Sequence, residues 1–217
     1  MSSFRANGRA NGRANGRTHG RTNGSLPSRA RGFALYVEGP RDVGLLQAWA
    51  QRVSPALAET LSEVAVILGG CQPARAAEHF RTLRERDADA RALCVLDRDT
   101  EGAPRPRAVE EPGLEYFTWG RRHIESYLLV PGAIRRSLRL PDDDARVERF
   151  FREALPAGET ALGAIDAKPL FAVQGELQRL LGRPVRPVHV ARAMFAGEIH
   201  ADVRALLARV RTGVGHE

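Results

Sequence analysis

Four short apolar runs punctuate the chain between residues 32 and 120, and each ends at glycine, proline or acidic residues. They are Phe33–Val37, Val64–Leu68, Ala92–Leu96 and Leu114–Trp119. Apolar residues at helical spacing predict helices over Arg41–Val53 and Arg75–Arg86, between the first three runs. Short apolar strands that alternate with helices are typical of a parallel sheet with both faces covered. The pattern therefore predicts an α/β fold with a Rossmann-like parallel sheet.

Beyond Arg121 the apolar residues recur at helical spacing almost throughout. The predicted helices are Ile124–Leu129, Ala133–Leu140, Ala145–Leu155, Lys168–Leu181 and Asp202–Val210. We therefore expect three parts: a polar tail over residues 1–31, an α/β core over residues 32–130, and a helical extension over residues 131–217 that completes the domain.

The excess of positive charge lies in the tail. The seven arginines of residues 1–31 stand without any acid and account for the whole net charge of +7, so the rest of the chain is formally neutral. This distribution excludes a uniformly basic protein that coats nucleic acid. The tail repeats Arg-Ala-Asn-Gly and close variants, which predicts disorder. It is either an arm that binds phosphates or a repeat without function.

The chain shows no sign of a membrane or secretory destination. No apolar run approaches the roughly 20 residues of a membrane span, and the tail lacks the apolar stretch of a secretory signal. Its Arg-rich start could also mimic an organellar transit peptide, although the strict repeat argues against this. The two cysteines, Cys71 and Cys94, form neither a disulfide framework nor a metal spacing. We expect a soluble, cytoplasmic protein.

Acidic residues follow two of the predicted strands. Glu38 ends the first strand, Asp42 lies on the first turn of the next helix, and Asp97 and Asp99 end the third strand. Ligands of parallel α/β sheets bind at the carboxyl ends of the strands. Carboxylates gathered there need cations, and oxygen ligands favour Mg²⁺ or Mn²⁺. Alternatively, these acids are a polar strand end, a helix-favoured first-turn acid and a solvated turn.

Glu125 is a further candidate ligand. It follows the fourth strand by only a few residues, so it can reach the same edge of the sheet. The alternative is an exposed helix acid that pairs with Arg121 or Arg122.

With these residues in place, the chain resembles a TOPRIM domain, the fold of topoisomerases, primases and several nucleases. The matching elements are a strand that ends in Glu38-Gly39 with Asp42 after it, and a strand that ends in Asp97-Arg98-Asp99. Trp119–Pro131 looks like the Arg-x-Ile-Glu-x-Tyr-hydrophobic-Pro stretch in the nuclease region of the OLD (overcoming lysogenization defect) family. In that family the region follows an ABC-type ATPase. This chain has no Gly-x-x-x-x-Gly-Lys-Ser/Thr motif, so a separate ATPase partner is one possibility.

Lys168 is the only lysine beside 32 arginines. Asp166 is a plausible N-cap before it, which would place Lys168 on the first turn of a helix, where the helix dipole disfavours positive charge. The OLD nuclease region has a lysine in a similar downstream place, which implies stabilisation of charge at the phosphate. The alternative is a single chance lysine in an Arg-biased composition.

The resemblance implies a metal-dependent endonuclease that hydrolyses DNA phosphodiester bonds, with Glu38 and Lys168 as catalytic residues. Glu38, Asp97 and Asp99 would hold one Mg²⁺ or Mn²⁺ ion, and Asp42 and Glu125 would help to hold a second. The rival hypothesis is a non-catalytic TOPRIM-like module that binds nucleic acid or a nucleotide and acts with a separate ABC-type ATPase. We assign His79, His123, His189 and His200 to structural or surface positions, because their spacing fits no ligand set.

Overall fold

A computed structural model describes residues 32–98 and 109–215 of the chain. The amino-terminal repeat and Asp99 lie outside the described residues. The strands are β1 (Phe33–Val37), β2 (Ala65–Ile67), β3 (Arg91–Leu96) and β4 (Leu114–Thr118). The helices are α1 (Pro40–Val53), α2 (Pro55–Val64), α3 (Pro73–Arg84), α4 (Pro131–Leu138), α5 (Arg146–Ala154), α6 (Glu159–Ala164), α7 (Glu176–Leu181), α8 (Pro187–Ala193) and α9 (Ala201–Gly213). Short 3-10 helices span Ile124–Leu128, Pro169–Phe171 and Ala196–Glu198.

The four strands form one parallel sheet in the order β2-β1-β3-β4. β1 pairs with β2 on one side and with β3 on the other, and β3 pairs with β4. This arrangement confirms the predicted α/β, Rossmann-like fold. Because β1 and β3 are neighbours in the sheet, the residues that follow them lie at adjacent strand ends.

Each face of the sheet is covered by its own apolar cluster. Side chains of a strand alternate between faces, so Leu35 and Val37 join one buried cluster while Ala34 and Tyr36 join the other. The smaller cluster lies under α3, whose Phe80 is fully buried. Both faces are therefore dry, which is why the strands read as continuous apolar runs.

The larger cluster also contains the helices that follow residue 130. Ile134 of α4, Val190 of α8 and Leu206 of α9 are completely buried in the same cluster as Leu35. The carboxyl-terminal helices therefore share their core with the sheet. No helix in the described part of the chain is long and apolar enough to cross a membrane.

Helices α2, α6 and α8 are not predicted from the sequence, and three of the predicted elements differ in the structure. Helix α2 takes up Val64, so the second strand is only Ala65–Ile67. The segment predicted as a helix from Ile124 is a 3-10 helix. The helix predicted over Lys168–Leu181 is interrupted: Pro169 begins a three-residue 3-10 turn, and α7 starts only at Glu176. Gln174 has a φ of 60°, in the left-handed region that a continuous helix excludes.

The last residue of α9 packs closely against the sheet. A Cβ on Gly213 would lie 2.2 Å from Cε2 of Phe33 on β1. Only a residue without a side chain fits there.

We therefore predict that Gly213→Ala destabilises the protein by about 1–3 kcal/mol, because the methyl group overpacks this contact. Gly197→Ala is the control, since a Cβ there meets no heavy atom within 4 Å. Urea unfolding of both variants measures the difference. Equal stability of the two would show that α9 does not pack against β1 in this way.

Candidate functional site

The carboxyl ends of β1 and β3 form the floor of a small acidic cavity. Glu38 follows β1 directly and Asp97 follows β3 directly. With Asp42 of α1 they line a cavity of about 10 Å³, whose apolar walls include Leu46 and Trp119. A volume of this order holds one water-sized particle. The topology thus brings together three of the predicted acids.

Asp42 occupies the first turn of α1 and caps it. Its Oδ2 accepts a hydrogen bond from the Gly39 N–H at 2.9 Å. Burial raises the pKa of the Asp42 carboxyl to about 6, although the Gly39 N–H opposes the shift, and the charges of Asp97 and Glu125 add to it. Asp42 therefore stabilises the first turn of the helix, as in the alternative interpretation, and is also a member of the acidic cluster.

Glu38 is only partly satisfied by its surroundings. Burial raises the pKa of the Glu38 carboxyl, and the nearby charge of Asp97 raises it further. Its Oε1 is buried and, among the described residues, has no hydrogen-bond partner. A buried carboxylate oxygen without a partner is costly unless a cation or a donor reaches it.

Asp97 is held by two partners, the Lys168 ammonium and the His123 ring. Nζ of Lys168 donates to Asp97 Oδ2 at 2.8 Å, and His123 Nδ1 lies 3.0 Å from the same oxygen. Burial alone would raise the pKa of Asp97, but the hydrogen bonds from His123 and Lys168 outweigh it and lower this pKa. Burial would likewise lower the pKa of Lys168, but its bond to Asp97 raises it.

The structure places His123 at the site, in contacts that the sequence-based assignment to a structural or surface position does not include. Its ring bridges two acids, because Nδ1 contacts Asp97 and Nε2 lies 3.3 Å from Asp166 Oδ1. Its side chain is only 13% exposed. Spacing among histidines could not reveal this role. The available signal was its position in the Trp119–Pro131 segment, two residues before Glu125.

Glu125 is buried, with 2% of its surface exposed. Its Oε1 accepts a hydrogen bond from Nη1 of Arg41 at 3.0 Å, and its Oε2 is buried without a partner among the described residues. The alternative of an exposed acid paired with Arg121 or Arg122 is therefore wrong. Arg121 pairs with Glu159 instead, and Arg122 lies 3.8 Å from Asp166.

Polar contacts join the segment that carries Lys168 to residues 120–127. Nη2 of Arg121 bonds both carboxylate oxygens of Glu159, at 2.7 and 2.8 Å, and the Arg122 N–H donates to the Gly163 carbonyl at 2.7 Å. The Asp166 carboxylate accepts from the Lys168 N–H at 3.1 Å. Asp166 therefore closes a turn before Lys168, but it is not the predicted N-cap: the helix that follows is a three-residue 3-10 turn whose N-cap is Lys168, without a side-chain cap.

The oxygen-rich donor set suits a hard divalent cation such as Mg²⁺ or Mn²⁺. Two observations fit a cation: the unpartnered oxygens Glu38 Oε1 and Glu125 Oε2, and the mutual repulsion of Glu38, Asp42 and Asp97. Within residues 32–98 and 109–215, no three His, Cys, Asp or Glu side chains converge as a complete ligand set. Asp99, a predicted ligand, lies outside the described residues.

No protein-family model and no curated protein sequence matches the chain. Among solved structures, the C-terminal region of the Burkholderia pseudomallei OLD protein is similar. The TM-score is 0.50 and the identity 17%, and the match covers 86% of this chain and 99% of that chain. The two proteins share a fold. Identity at this level carries no assignment of residues or activity.

The raised pKa of Asp42 predicts a pH-dependent stability. An acid whose pKa lies higher in the folded state binds protons more tightly there, so its contribution to stability is present below about pH 4 and is lost as the pH rises to about 6. In metal-free buffer, Asp42→Asn should remove this loss while its amide oxygen keeps the Gly39 contact. We expect the variant to gain about 1–2 kcal/mol over the wild type between pH 4 and pH 7. Urea unfolding across this range measures the gain, and parallel curves for both proteins would contradict it.

Proposed function

We propose that this protein is a TOPRIM-type, Mg²⁺- or Mn²⁺-dependent endonuclease, similar to the nuclease region of the OLD family, that hydrolyses DNA phosphodiester bonds. The observation that carries the proposal is a set of partly or fully buried carboxylates: Glu38 and Asp97 at the carboxyl ends of β1 and β3, Asp42 on α1, and Glu125 on the 3-10 helix after β4. Two of their oxygens, Glu38 Oε1 and Glu125 Oε2, lack a partner among the described residues. Carboxylates arranged in this way are stable in the ionised state only beside cations.

The proposed ligands divide between two ions. Glu38, Asp97 and Asp99 would hold the first, and Asp42 and Glu125 would help to hold the second. When bound, the ions supply an activated water and stabilise the leaving oxygen of the phosphodiester. The shared fold with the OLD C-terminal region supports this proposal at the level of architecture.

Lys168 and His123 have separate proposed roles at Asp97. The side chain of Lys168 is 43% exposed, so its ammonium can also reach an anion that approaches from solvent. In the proposed reaction it neutralises charge that develops on the phosphate. His123 is only 13% exposed and contacts both Asp97 and Asp166. It therefore orients the Asp97 carboxylate rather than contacting the substrate.

DNA is the favoured substrate, and the seven arginines of residues 1–31 are a candidate arm for its phosphates. The chain lacks a phosphate-binding loop for ATP, so an ABC-type ATPase encoded separately is the proposed partner. We further propose a cytoplasmic location, which agrees with the chemistry of a nuclease that acts on cellular or invading DNA.

One observation favours a second function. The Lys168 ammonium and the His123 ring both contact Asp97 Oδ2, so groups of the chain itself, one of them cationic, already compensate this acid. A site compensated in this way can persist without metal. The second candidate is thus a non-catalytic TOPRIM-like module that binds nucleic acid or a nucleotide and acts with a separate ATPase.

Nicking of supercoiled plasmid with Mg²⁺ or Mn²⁺ tests the nuclease directly. We expect cleavage by the wild type and a loss of at least about 100-fold in Asp97→Asn, which removes the charge but keeps the shape of the side chain. Asp142→Asn is the matched control, since its carboxylate is fully exposed and pairs only at the surface with Arg135. Equal cleavage by wild type and Asp97→Asn would refute the site. Retained DNA binding without any cleavage would favour the non-catalytic module.

Lys168→Arg tests the need for a compact ammonium. The substitution keeps the charge but replaces a point donor by a larger planar group, which cannot repeat the single short contact with Asp97. We expect cleavage to fall by about 100-fold while circular dichroism and thermal unfolding stay unchanged. The converse substitution at an exposed position, Arg86→Lys, should leave cleavage intact. Full activity of Lys168→Arg would mean that this lysine is a chance occurrence in an Arg-biased composition.

A further inference from the structure

Arg41 stands where a positive charge is unfavourable. Helix α1 begins at Pro40, so Arg41 is its second residue and faces the partial positive charge of the helix N-terminus. Acidic residues are favoured there, and Asp42 follows that rule. A cationic side chain at this position therefore needs a compensating interaction elsewhere.

The compensation comes from Glu125, 84 residues away along the chain. Nη1 of Arg41 donates to Glu125 Oε1 at 3.0 Å. The two partners differ in burial: the Glu125 side chain is 3% exposed, whereas that of Arg41 is 52% exposed. The acid is fixed in the core, while the guanidinium can rotate into solvent without opening a cavity.

Arg41 satisfies only half of this acid. A guanidinium can bond both oxygens of a carboxylate at once, as Arg121 does with Glu159. Here only Oε1 is bonded, and Oε2 is buried without a partner among the described residues. The contact is thus weaker than the pair could form, and it leaves one oxygen for another cation.

We propose that Arg41 is an exchangeable counter-ion, which holds Glu125 in the metal-free protein and leaves it when a divalent cation binds. The inference rests on the proposed function, because it concerns the metal affinity of the same site. Asp42 and Lys168 also interact electrostatically with Glu125, so Arg41 competes for an acid within the cluster.

If Arg41 competes with a metal ion for Glu125, its removal changes the metal affinity in the opposite direction to the removal of a purely structural arginine. A divalent cation at Glu125 must either displace the guanidinium from Oε1 or bind at Oε2 against the repulsion of its charge. Removal of Arg41 takes away both costs. The variant should therefore bind metal more tightly than the wild type, whereas loss of a structural ion pair would disturb the site and weaken binding.

Calorimetric titration of the full chain with MnCl₂ tests this inference. We expect Arg41→Gln to bind Mn²⁺ about tenfold more tightly than the wild type, because a full positive charge has left the edge of the site. Arg41→Met, which keeps the apolar stem, has the same expectation and guards against a folding defect in the first variant. Arg52→Gln is the matched control: it lies on the same helix, changes the net charge equally, and among the described residues bonds only the Arg192 carbonyl. It should stay within about twofold of the wild type.

A double variant assigns the gain to Glu125. Arg41→Gln combined with Glu125→Gln should lose the gain, and a gain that persists would overturn the inference. Unchanged or weaker affinity in Arg41→Gln, with Mn²⁺ bound by the wild type, would overturn the inference and leave the proposed function standing. No Mn²⁺ binding by either protein would overturn both.

Discussion

Ionised carboxylates withdrawn from water are the constraint on which the site depends. The order of the sheet places β1 beside β3, and Glu38 and Asp97 follow these strands directly. Burial penalises their charge, and the acids also repel one another. Such a cluster is stable only if positive charge enters it. The chain itself supplies positive charge through the contacts of Lys168 with Asp97 and of Arg41 with Glu125, a further acid of the site.

The strands and the positions of the acids at their ends were predicted well from the sequence, because both follow from local rules. A strand buried on both faces must read as an apolar run, and the acids that end such runs must meet at one edge of a parallel sheet. The contacts that neutralise the acids obey no local rule. Arg41 meets Glu125 across 84 residues, and Lys168 meets Asp97 across 71. Packing of the whole fold determines these pairs, so the sequence could suggest their members but not their partners.

In the carboxyl-terminal half, tertiary packing also limited the prediction of the backbone conformation. Helical spacing predicted one helix from Lys168, but Pro169 begins a 3-10 turn and Gln174 adopts a left-handed conformation. The argument that Lys168 opposes the dipole of a long helix therefore no longer holds. Its position is explained instead by Asp166, which accepts a hydrogen bond from the Lys168 N–H, and by Asp97, which accepts one from the Lys168 ammonium. The tertiary contact gives a stronger reason for a cation there than the helix did.

Whether arginine or lysine pairs with an acid bears on the choice between a nuclease and a non-catalytic module. Where this chain needs a lasting ion pair it uses arginine, and Arg121 bonds both oxygens of Glu159. At Asp97 it uses its one lysine, through a single contact and with the side chain 43% exposed. Arginine forms the more durable pair with a carboxylate, whereas a flexible ammonium moves easily between anions. A scaffold that had only to neutralise Asp97 would be served better by the residue that the chain uses 32 times. The use of lysine at this position therefore supports the proposed role, in which the Lys168 ammonium moves from Asp97 to a phosphate.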